Sequence, residues 1–333
     1  MEEFQVIIPY GPAGGVSQFF RILQSYASNK GINLMPVFKP GAEGTVGLND
    51  AASGMYNPNK TIVLTVISDM WSDHKAKKFD HNSFIPVANL AQSKVYIVAG
   101  NLVPVNNLSE LFDLVKKNPE QLTWAISSSQ FHKDLNGIAT ALGTDADHMI
   151  ITKFNGASSL PSVIGGFIDI GVYPAVTVQS MIDDKKLKLL GTYRRRDAQG
   201  LNVDSVENHM SVLKRDGFGL FLLPGVSTNL SKFWEQFCQD FLTNPETTNL
   251  LTKRNFRMPD NGTIKDIYND FNKNKVSLTR REEEIAGLIR IRGLSNQQIS
   301  QQLGIGESAV KVHVSSILKK YNIHSRTQLA AFG

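Results

Sequence analysis

Short apolar runs rich in β-branched residues alternate with amphipathic stretches over residues 1–275 of the chain. Apolar runs of this length predict buried strands, and a spacing of three to four residues between apolar positions predicts helices. The predicted strands are 4–9, 34–38, 61–67, 93–99, 122–127, 149–154 and 169–173, and the predicted helices include 17–29, 108–117 and 134–142. Such alternation indicates an α/β fold with largely parallel sheets.

A last amphipathic helix of this region is predicted from the helical spacing of Ile264, Ile267, Tyr268 and Phe271. The polar segment 272–277 that follows has the composition of a linker. A different pattern begins there, in which a hydroxyl residue is followed three positions later by Glu or Gln. Each of these capping boxes predicts a helix start. They are Thr279–Glu282, Ser295–Gln298 and Ser325–Gln328.

The segment from Glu307 to Tyr321 is predicted to be a helix with one apolar and one polar face. The apolar positions are Val310, Val314, Ile317, Leu318 and Tyr321, and the opposite face carries Ser308, Lys311, Val312, Ser315 and Lys319. A short glycine turn before a basic, hydroxyl-rich helix is the layout of a helix-turn-helix DNA reader within a four-helix unit. A small helical bundle with a solvated lysine face is the alternative interpretation.

Residues 277–333 closely resemble the LuxR-type helix-turn-helix domain through the motifs LTRREEEI, GLSNQQISQQLGI, ESAVKVHVSSILKKY and SRTQL. The resemblance implies that the recognition helix is Glu307–Tyr321 and that the last helix, about 325–332, often forms the dimer contact. The implied DNA-binding residues are Ser308, Lys311, Val312, Ser315, Lys319, Lys320 and Asn296. Ala309 and Gly306 depart from the family pattern, which usually has Thr and Ser there.

The net charge of the chain, +5, is concentrated in this region. Residues 277–333 contain eight basic and four acidic side chains, so they account for +4 of the total. A basic patch of this kind suits contact with DNA phosphates.

Two glycine-rich segments, 9–15 (PYGPAGG) and 39–47 (KPGAEGTVG), each follow a predicted strand and precede a helix. Backbone N–H groups at such helix starts can bind an anion without an arginine. Neither segment is a nucleotide motif, because no Lys-Ser/Thr follows the glycines and there is no G-x-G-x-x-G with an acidic partner downstream. One such loop would suggest only a tight turn, whereas two at matching strand ends indicate a ligand cleft.

The region from 4 to 273 resembles the Bug-type solute receptors of tripartite tricarboxylate transporters through VIIPYGPAGGVSQFFRIL, KPGAEGTVGLNDAA, SSSQFHKDLNGIATALGTD and KFNGASSLPSVIGGFIDI. The resemblance implies an α/β two-lobed periplasmic-binding-protein-like domain over 1–275, with lobe one at about 1–100 and 215–275 and lobe two at about 101–214. A small carboxylate would bind between the lobes. The implied ligand-binding residues are Tyr10, Ala13, Gly14, Gly15, Val16, Ser17, Gly44, Thr45, Ser127, Ser128, His132, Phe154 and Tyr173.

Three departures from the receptor pattern leave the ligand unidentified. Ser17 stands where receptors commonly have Asp, residues 153–156 read KFNG instead of PYKG, and Tyr173 replaces a frequent Asp or Asn.

Enzyme chemistry is not indicated by the sequence. The seven histidines form no HxxxH or HExxH pair, the cluster of Asp145, Asp147 and His148 reads as a solvated loop, and no G-x-S-x-G elbow occurs. We therefore expect no catalysis, metal or cofactor. The acidic start MEEFQVIIPYG lacks the features of a secretion signal, no apolar run could cross a membrane, and the single cysteine, Cys238, suggests a buried thiol. These features favour a cytoplasmic location for the protein.

The sequence as a whole predicts a one-component transcription regulator, in which a carboxylate-sensing domain is joined to a LuxR-type DNA reader. Expected partners are double-stranded DNA with a two-fold symmetric operator, a small carboxylate and a second copy of the chain. Pro9-Tyr10-Gly11 stands where a phosphorylated response regulator needs an acidic pair, and nothing resembles an acyl-homoserine-lactone receptor. A receptor-like domain that has lost its ligand and serves dimerisation or partner binding is the alternative.

Overall fold

The computed structural model describes residues 2–71, 76–80, 83–118, 121–126, 135, 150–153, 156–208, 217–259, 264, 278–321 and 329. Among these, the residues up to 264 form one unit and those from 278 form a second. The larger unit is built on two six-stranded sheets, each the centre of one lobe.

The first sheet has the strand order β12-β4-β11-β3-β1-β2. Its strands are β1 Glu2–Ile8, β2 Ile32–Phe38, β3 Thr61–Val66, β4 Ile85–Ser93, β11 Phe218–Leu222 and β12 Phe256–Arg257. The accompanying helices are α1 Gly15–Asn29, α2 Thr45–Ala51, α6 Thr228–Thr243 and α7 Pro245–Lys253. An aromatic core that includes Phe4, Phe19, Trp234 and Phe241 packs α1 and α6 onto this sheet.

The second sheet has the strand order β10-β9-β5-β8-β6-β7. Its strands are β5 Val95–Gly100, β6 Thr123–Ile126, β7 Ile150–Lys153, β8 Ile170–Pro174, β9 Leu187–Thr192 and β10 Asp204–Ser205. Its helices are α3 Leu108–Lys117, α4 Leu160–Ile164 and α5 Ala175–Asp183. Tyr96, Val163, Tyr173 and Val178 belong to the core of this lobe.

The chain crosses between the lobes earlier than the sequence predicts. The residues 95–100 pair with β8 and β9 of the second sheet, so the first crossing is at Lys94 and not near residue 100. The return lies between β10 and β11, which is compatible with the predicted boundary at 214–215.

The sheets are mixed, whereas the sequence pattern predicts largely parallel ones. β1 pairs in parallel with β2 and β3, and β6 does so with β7 and β8. The two strands next to the crossings, β5 and β11, are antiparallel to both of their neighbours. β5 enters its sheet directly from β4 of the other lobe through Lys94, without a crossover helix, so it is free to take this direction.

The smaller unit contains α8 Arg280–Arg292, α9 Asn296–Leu303 and α10 Glu307–Tyr321. The capping boxes at Thr279 and Ser295 are both formed, which confirms these two predicted helix starts. Gly293 and Gly304 end α8 and α9 in the left-handed conformation. The third capping box lies outside the described residues, as does the 325–332 segment except for Leu329, which is buried in the core of this unit.

No helix within the described ranges is both long and apolar enough to span a bilayer.

Candidate ligand cleft and DNA-reading helix

Three loops of the first lobe meet at one edge of its sheet, because β1, β2 and β3 are parallel and their carboxyl ends lie on the same side. The side chain of Tyr10, after β1, connects all three. Its hydroxyl donates to the Asp69 carboxylate at 2.5 Å, bonds to Thr65 Oγ1 at 2.9 Å, and accepts from the Val66 N–H at 3.1 Å. The pKa of Tyr10 is raised well above its usual value, mainly by burial and then by the Asp69 charge.

The ring of Tyr10 lies directly against Gly44, which ends the loop after β2. A Cβ atom at Gly44 would lie 3.3 Å from the ring, and the backbone there has a φ of +87°. Both the close approach and the left-handed backbone favour glycine at this position.

The loop after β2 holds four consecutive residues with positive φ: Gly41 (+140°), Ala42 (+46°), Glu43 (+52°) and Gly44 (+87°). Ala42 and Glu43 carry side chains that rarely adopt this conformation, which costs on the order of 1 kcal/mol for each residue. Backbone strain of this kind clusters at ligand-binding loops, where the surrounding structure maintains it. The run therefore supports a functional role for this loop.

The loop after β1 presents backbone in preference to side chains. Ser17, at the start of α1, is buried and donates its hydroxyl to the Gly11 carbonyl at 2.8 Å, while Val16 packs into the core. Gly14 donates its N–H to the same carbonyl at 3.2 Å and precedes the first turn of α1, which contains no acidic residue. The first N–H groups of a helix have no intrahelical acceptor, so they are the groups that this loop offers to an anion.

In the second lobe, the structure describes one of the five residues predicted to bind the ligand. Tyr173 is fully buried, and its hydroxyl lies 2.6 Å from that of Ser159. Burial raises the pKa of Tyr173. Ser127, Ser128, His132 and Phe154 lie outside the described residues. Thr45 is buried at the start of α2, Ala13 is exposed, and Gly15 approaches Pro174 of the second lobe.

Asp69 is a residue of the candidate cleft that the sequence analysis did not name. It follows β3 in a short 3₁₀ helix, and no spacing or motif connects it with Tyr10, 59 positions earlier. The parallel register of β1 and β3 could have indicated it, because that register brings both strand ends together.

The polar face of α10 is exposed, as a DNA-reading face must be. Val312 has 69% of its surface exposed, and the side chain of Lys311 has 64%. Ser308, Ser315 and Lys319 are also exposed. Lys311 forms a 3.1 Å ion pair with Glu307, one turn earlier on the same helix.

Lys320, which the sequence predicts to contact DNA, forms an ion pair within the unit. Its ammonium group lies 2.6 Å from the carboxylate of Glu282 in α8, which also accepts from Ser316. The Lys320 hydrogen bond, followed by that of the Thr279 backbone, lowers the pKa of Glu282 to about 2. Asn296 is half-buried at the first position of α9.

The turn between α9 and α10 is fixed by side-chain and backbone bonds. Ser300 donates its hydroxyl to the Ile305 carbonyl at 2.6 Å, and the Gly306 carbonyl accepts from the N–H groups of Ala309 and Val310. These bonds set the direction in which α10 leaves the turn.

Residues 21–281 match the tripartite tricarboxylate transporter family receptor. Residues 276–332 match the bacterial regulatory proteins of the luxR family. The two matches together extend over most of the chain.

Curated relatives match part of the chain. The two-component response regulator PprB of Pseudomonas aeruginosa is 45% identical over 53 residues, 16% of this chain and 19% of that protein. The nitrate/nitrite response regulator NarL of Escherichia coli K12 is 31% identical over 151 residues, 44% of this chain and 66% of that protein. The chain thus spans less than two thirds of the length of these relatives.

Solved structures resemble the larger unit in fold. An R. palustris protein with adipate has a TM-score of 0.72 at 13% identity, over 82% of this chain and 93% of that one. The periplasmic binding protein BugD has a TM-score of 0.68 at 17% identity, with the same coverage. MatC from Rhodopseudomonas palustris with bound malate has a TM-score of 0.67 at 16% identity, over 82% and 97%.

Proposed function

The chain belongs to the tripartite tricarboxylate transporter receptor family and carries a LuxR-type helix-turn-helix domain, and from this premise we propose that it is a one-component transcription regulator that senses a small carboxylate. The observation that carries the proposal is the presence of both domains in one chain. A receptor fold supplies a ligand cleft, and a DNA reader gives ligand binding a consequence for transcription.

DNA binding is supported by the exposed face of α10. Lys311 can donate to guanine O6 or N7 in the major groove, and Val312, an exposed apolar residue on a polar face, suits contact with a thymine methyl. A single recognition helix reads a short half-site, so we propose a homodimer on a two-fold symmetric operator. Because DNA is the proposed partner, we also propose that the protein is located in the cytoplasm.

Carboxylate binding is supported by the loops at the edge of the first sheet. The strained loop 41–44, held by Tyr10, and the exposed backbone before α1 form a site for a ligand anion that needs no arginine. Two proteins of similar fold are described with malate and adipate, so small dicarboxylates are the first ligands to test.

Two measurements on the full chain test the proposal. Isothermal calorimetry would be run against a panel of mono- and dicarboxylates that includes malate and adipate, with uncharged amides of the same acids as controls. Selection from a random duplex pool would supply the operator for fluorescence anisotropy. Heat from at least one acid, and a change in operator affinity when that acid is added, is the expected result.

Failure of each arm has its own meaning. Operator selection without any carboxylate signal would remove the sensing role and leave a DNA-binding protein whose receptor-like domain serves dimerisation or partner binding. Failure to enrich any DNA sequence would remove the regulatory role.

A further inference from the structure

The chain passes from the first sheet to the second through one residue, Lys94, which lies between β4 and β5. The Lys94 carbonyl accepts from the Ala175 N–H at 2.8 Å and from the Ser93 hydroxyl at 3.1 Å. A connection of one residue allows little movement of one strand relative to the other. A change in the angle between the lobes must therefore change the backbone conformation close to Lys94.

Polar side chains from both lobes meet beside this crossing. Gln92, at the end of β4, accepts through its side-chain oxygen from Arg257 Nε at 3.0 Å and from the Arg196 guanidinium at 2.8 Å. Arg257, in β12 of the first lobe, forms an ion pair with Asp197, which follows β9 in the second lobe. The same carboxylate accepts from the Val95 N–H at 3.4 Å. Each lobe is therefore bonded to the other around Lys94.

These groups are almost completely shielded from water. Gln92 and Asp197 are each 1% exposed, and the Arg257 side chain is 12% exposed. Burial lowers the pKa of Arg257 to about 10, although the Asp197 charge opposes this shift. Burial also raises the pKa of Asp197, against the opposing effect of the neighbouring guanidinium groups. The charges are thus held at a desolvation cost, and a buried ion pair of this kind adds little to stability compared with an apolar contact.

The ion pair instead restricts the angle between the two lobes. Hydrogen bonds weaken steeply when their distance or angle changes, whereas an apolar contact can slide with little loss. Arg257 bonds Gln92 of its own lobe and Asp197 of the other at the same time, so a rotation of one lobe breaks at least one of these bonds. The arrangement favours one angle between the lobes.

We propose that Arg257 and Asp197 form a latch across the crossing, which sets the angle between the two lobes and ties the second lobe to β12. β12 is the last strand that the structure describes before the DNA-binding unit begins in the sequence. A change in lobe angle therefore acts on the segment that leads to that unit. This consequence for DNA binding rests on the proposed function, whereas the latch itself does not.

The test measures the distance between the lobes in the ligand-free protein. Nitroxide labels would be attached to Lys116→Cys on α3 and Lys232→Cys on α6, two exposed positions on different lobes. The native Cys238 is buried, and burial raises the pKa of its thiol, so it competes poorly for the label. Pulsed electron resonance gives the distribution of label distances.

Three variants separate the latch from general effects. Arg257→Met removes the ion pair but leaves the Asp197 carboxylate without the Arg257 charge. The double variant, Arg257→Met with Asp197→Leu, removes both charges. Arg195→Met is the matched control, because Arg195 lies in the same segment as Asp197 but bonds Glu207 of its own lobe. We expect a shifted or broadened distance distribution in both latch variants and an unchanged one in the control.

An unchanged distribution in folded latch variants would overturn the proposal. So would failure of the double variant to fold, since the pair would then be part of the core instead of an adjustable link. Neither outcome needs ligand or DNA, and each is therefore distinguishable from failure of the sensing role. In the selected-operator assay, the latch variants should differ from wild type by roughly fivefold or more in ligand-free affinity.

Discussion

The ammonium group of Lys320 lies 2.6 Å from the carboxylate of Glu282, so the end of α10 is held against the start of α8. The same carboxylate accepts from the Thr279 N–H at 2.6 Å and from the Ser316 hydroxyl at 2.7 Å. One glutamate therefore caps the first helix of the unit and anchors its reading helix. The preceding lysine, Lys319, is exposed.

Lys320→Met should lower the free energy of unfolding of the C-terminal unit by about 1 kcal/mol, because it removes a charged hydrogen bond from a half-exposed position. Lys319→Met is the matched control and should leave stability unchanged, yet it should flatten the salt dependence of DNA binding by about one phosphate contact. Chemical denaturation and anisotropy at several salt concentrations measure the two effects. Equal stability of the two variants would contradict the assignment of Lys320 to an internal role.

Glu282 should make the C-terminal unit sensitive to acid. Its pKa is lowered from 4.5 to about 2 in the folded state, so the carboxylate stabilises the fold above its unfolded pKa. That contribution is lost as the pH falls from about 4.5 towards 2. Glu282→Gln should therefore be less stable than wild type at pH 7 and should lose less stability on acidification. Circular dichroism would monitor the unfolding of both proteins between pH 5 and 2.5. A parallel loss of stability in the two proteins would rule this out.

Lys311→Ala should cost roughly 1–3 kcal/mol of operator affinity and relax the base preference at one position. Glu307→Gln should strengthen binding, because the 3.1 Å ion pair between the two residues competes with DNA for the lysine and adds a negative charge beside the phosphates. Anisotropy with selected and scrambled duplexes measures both. If Lys311→Ala weakens binding to both duplexes equally, the lysine contacts phosphate and does not read bases.

Gly14→Val and Gly44→Val should both abolish carboxylate binding, but they should differ in stability. A Cβ atom at Gly14 would lie 3.5 Å from its nearest neighbour, the Gly11 carbonyl oxygen. A Cβ atom at Gly44 would press on the Tyr10 ring, and the valine would have to adopt a φ of +87°. Gly54→Val is the matched control for strain, because Gly54 has a φ of +81° and open space around it. Thermal melting and calorimetry would be compared. Retained binding in Gly14→Val would show that the loop before α1 does not receive the ligand.

Insertion of a flexible Gly-Ser segment after Asn272 should weaken the response of DNA binding to ligand. The coupling expected for the native chain is about 1–3 kcal/mol, or roughly 5–150-fold in affinity, and ligand and operator must affect each other by the same factor. Titration of operator with and without the carboxylate found by calorimetry measures it. An undiminished response in the lengthened protein would exclude transmission through this segment.

The parts of the fold that depend on local chemistry could be predicted from the sequence. A few adjacent residues determine the capping boxes at Thr279 and Ser295, and the same is true of the left-handed glycines that end these helices. Strands made of uninterrupted apolar runs, such as 61–66, were equally accessible. β4 was missed because its sequence, IPVANLAQS, contains polar residues that are buried by strands on both sides.

The site could be predicted only in outline, since its contacts join distant residues. The glycine loops indicated a cleft, but nothing local connects Tyr10 with Asp69 or Arg257 with Asp197. Resemblance placed Ser17 and Tyr173 in the cleft by position, whereas their hydroxyl groups bond Gly11 and Ser159. Side-chain partners such as these depend on how the sheets assemble, which residue type and spacing do not specify.

The position of β11 between β3 and β4 has a consequence for the order in which a growing chain can fold. The first sheet lacks this inner strand until residue 222 has been synthesised, although four of its six strands, β1–β4, precede residue 94 in the sequence. The strands of the second sheet, by contrast, are contiguous between residues 95 and 205. On the ribosome, the second lobe can therefore complete its sheet before β11 is available to pair with β3 and β4 of the first lobe.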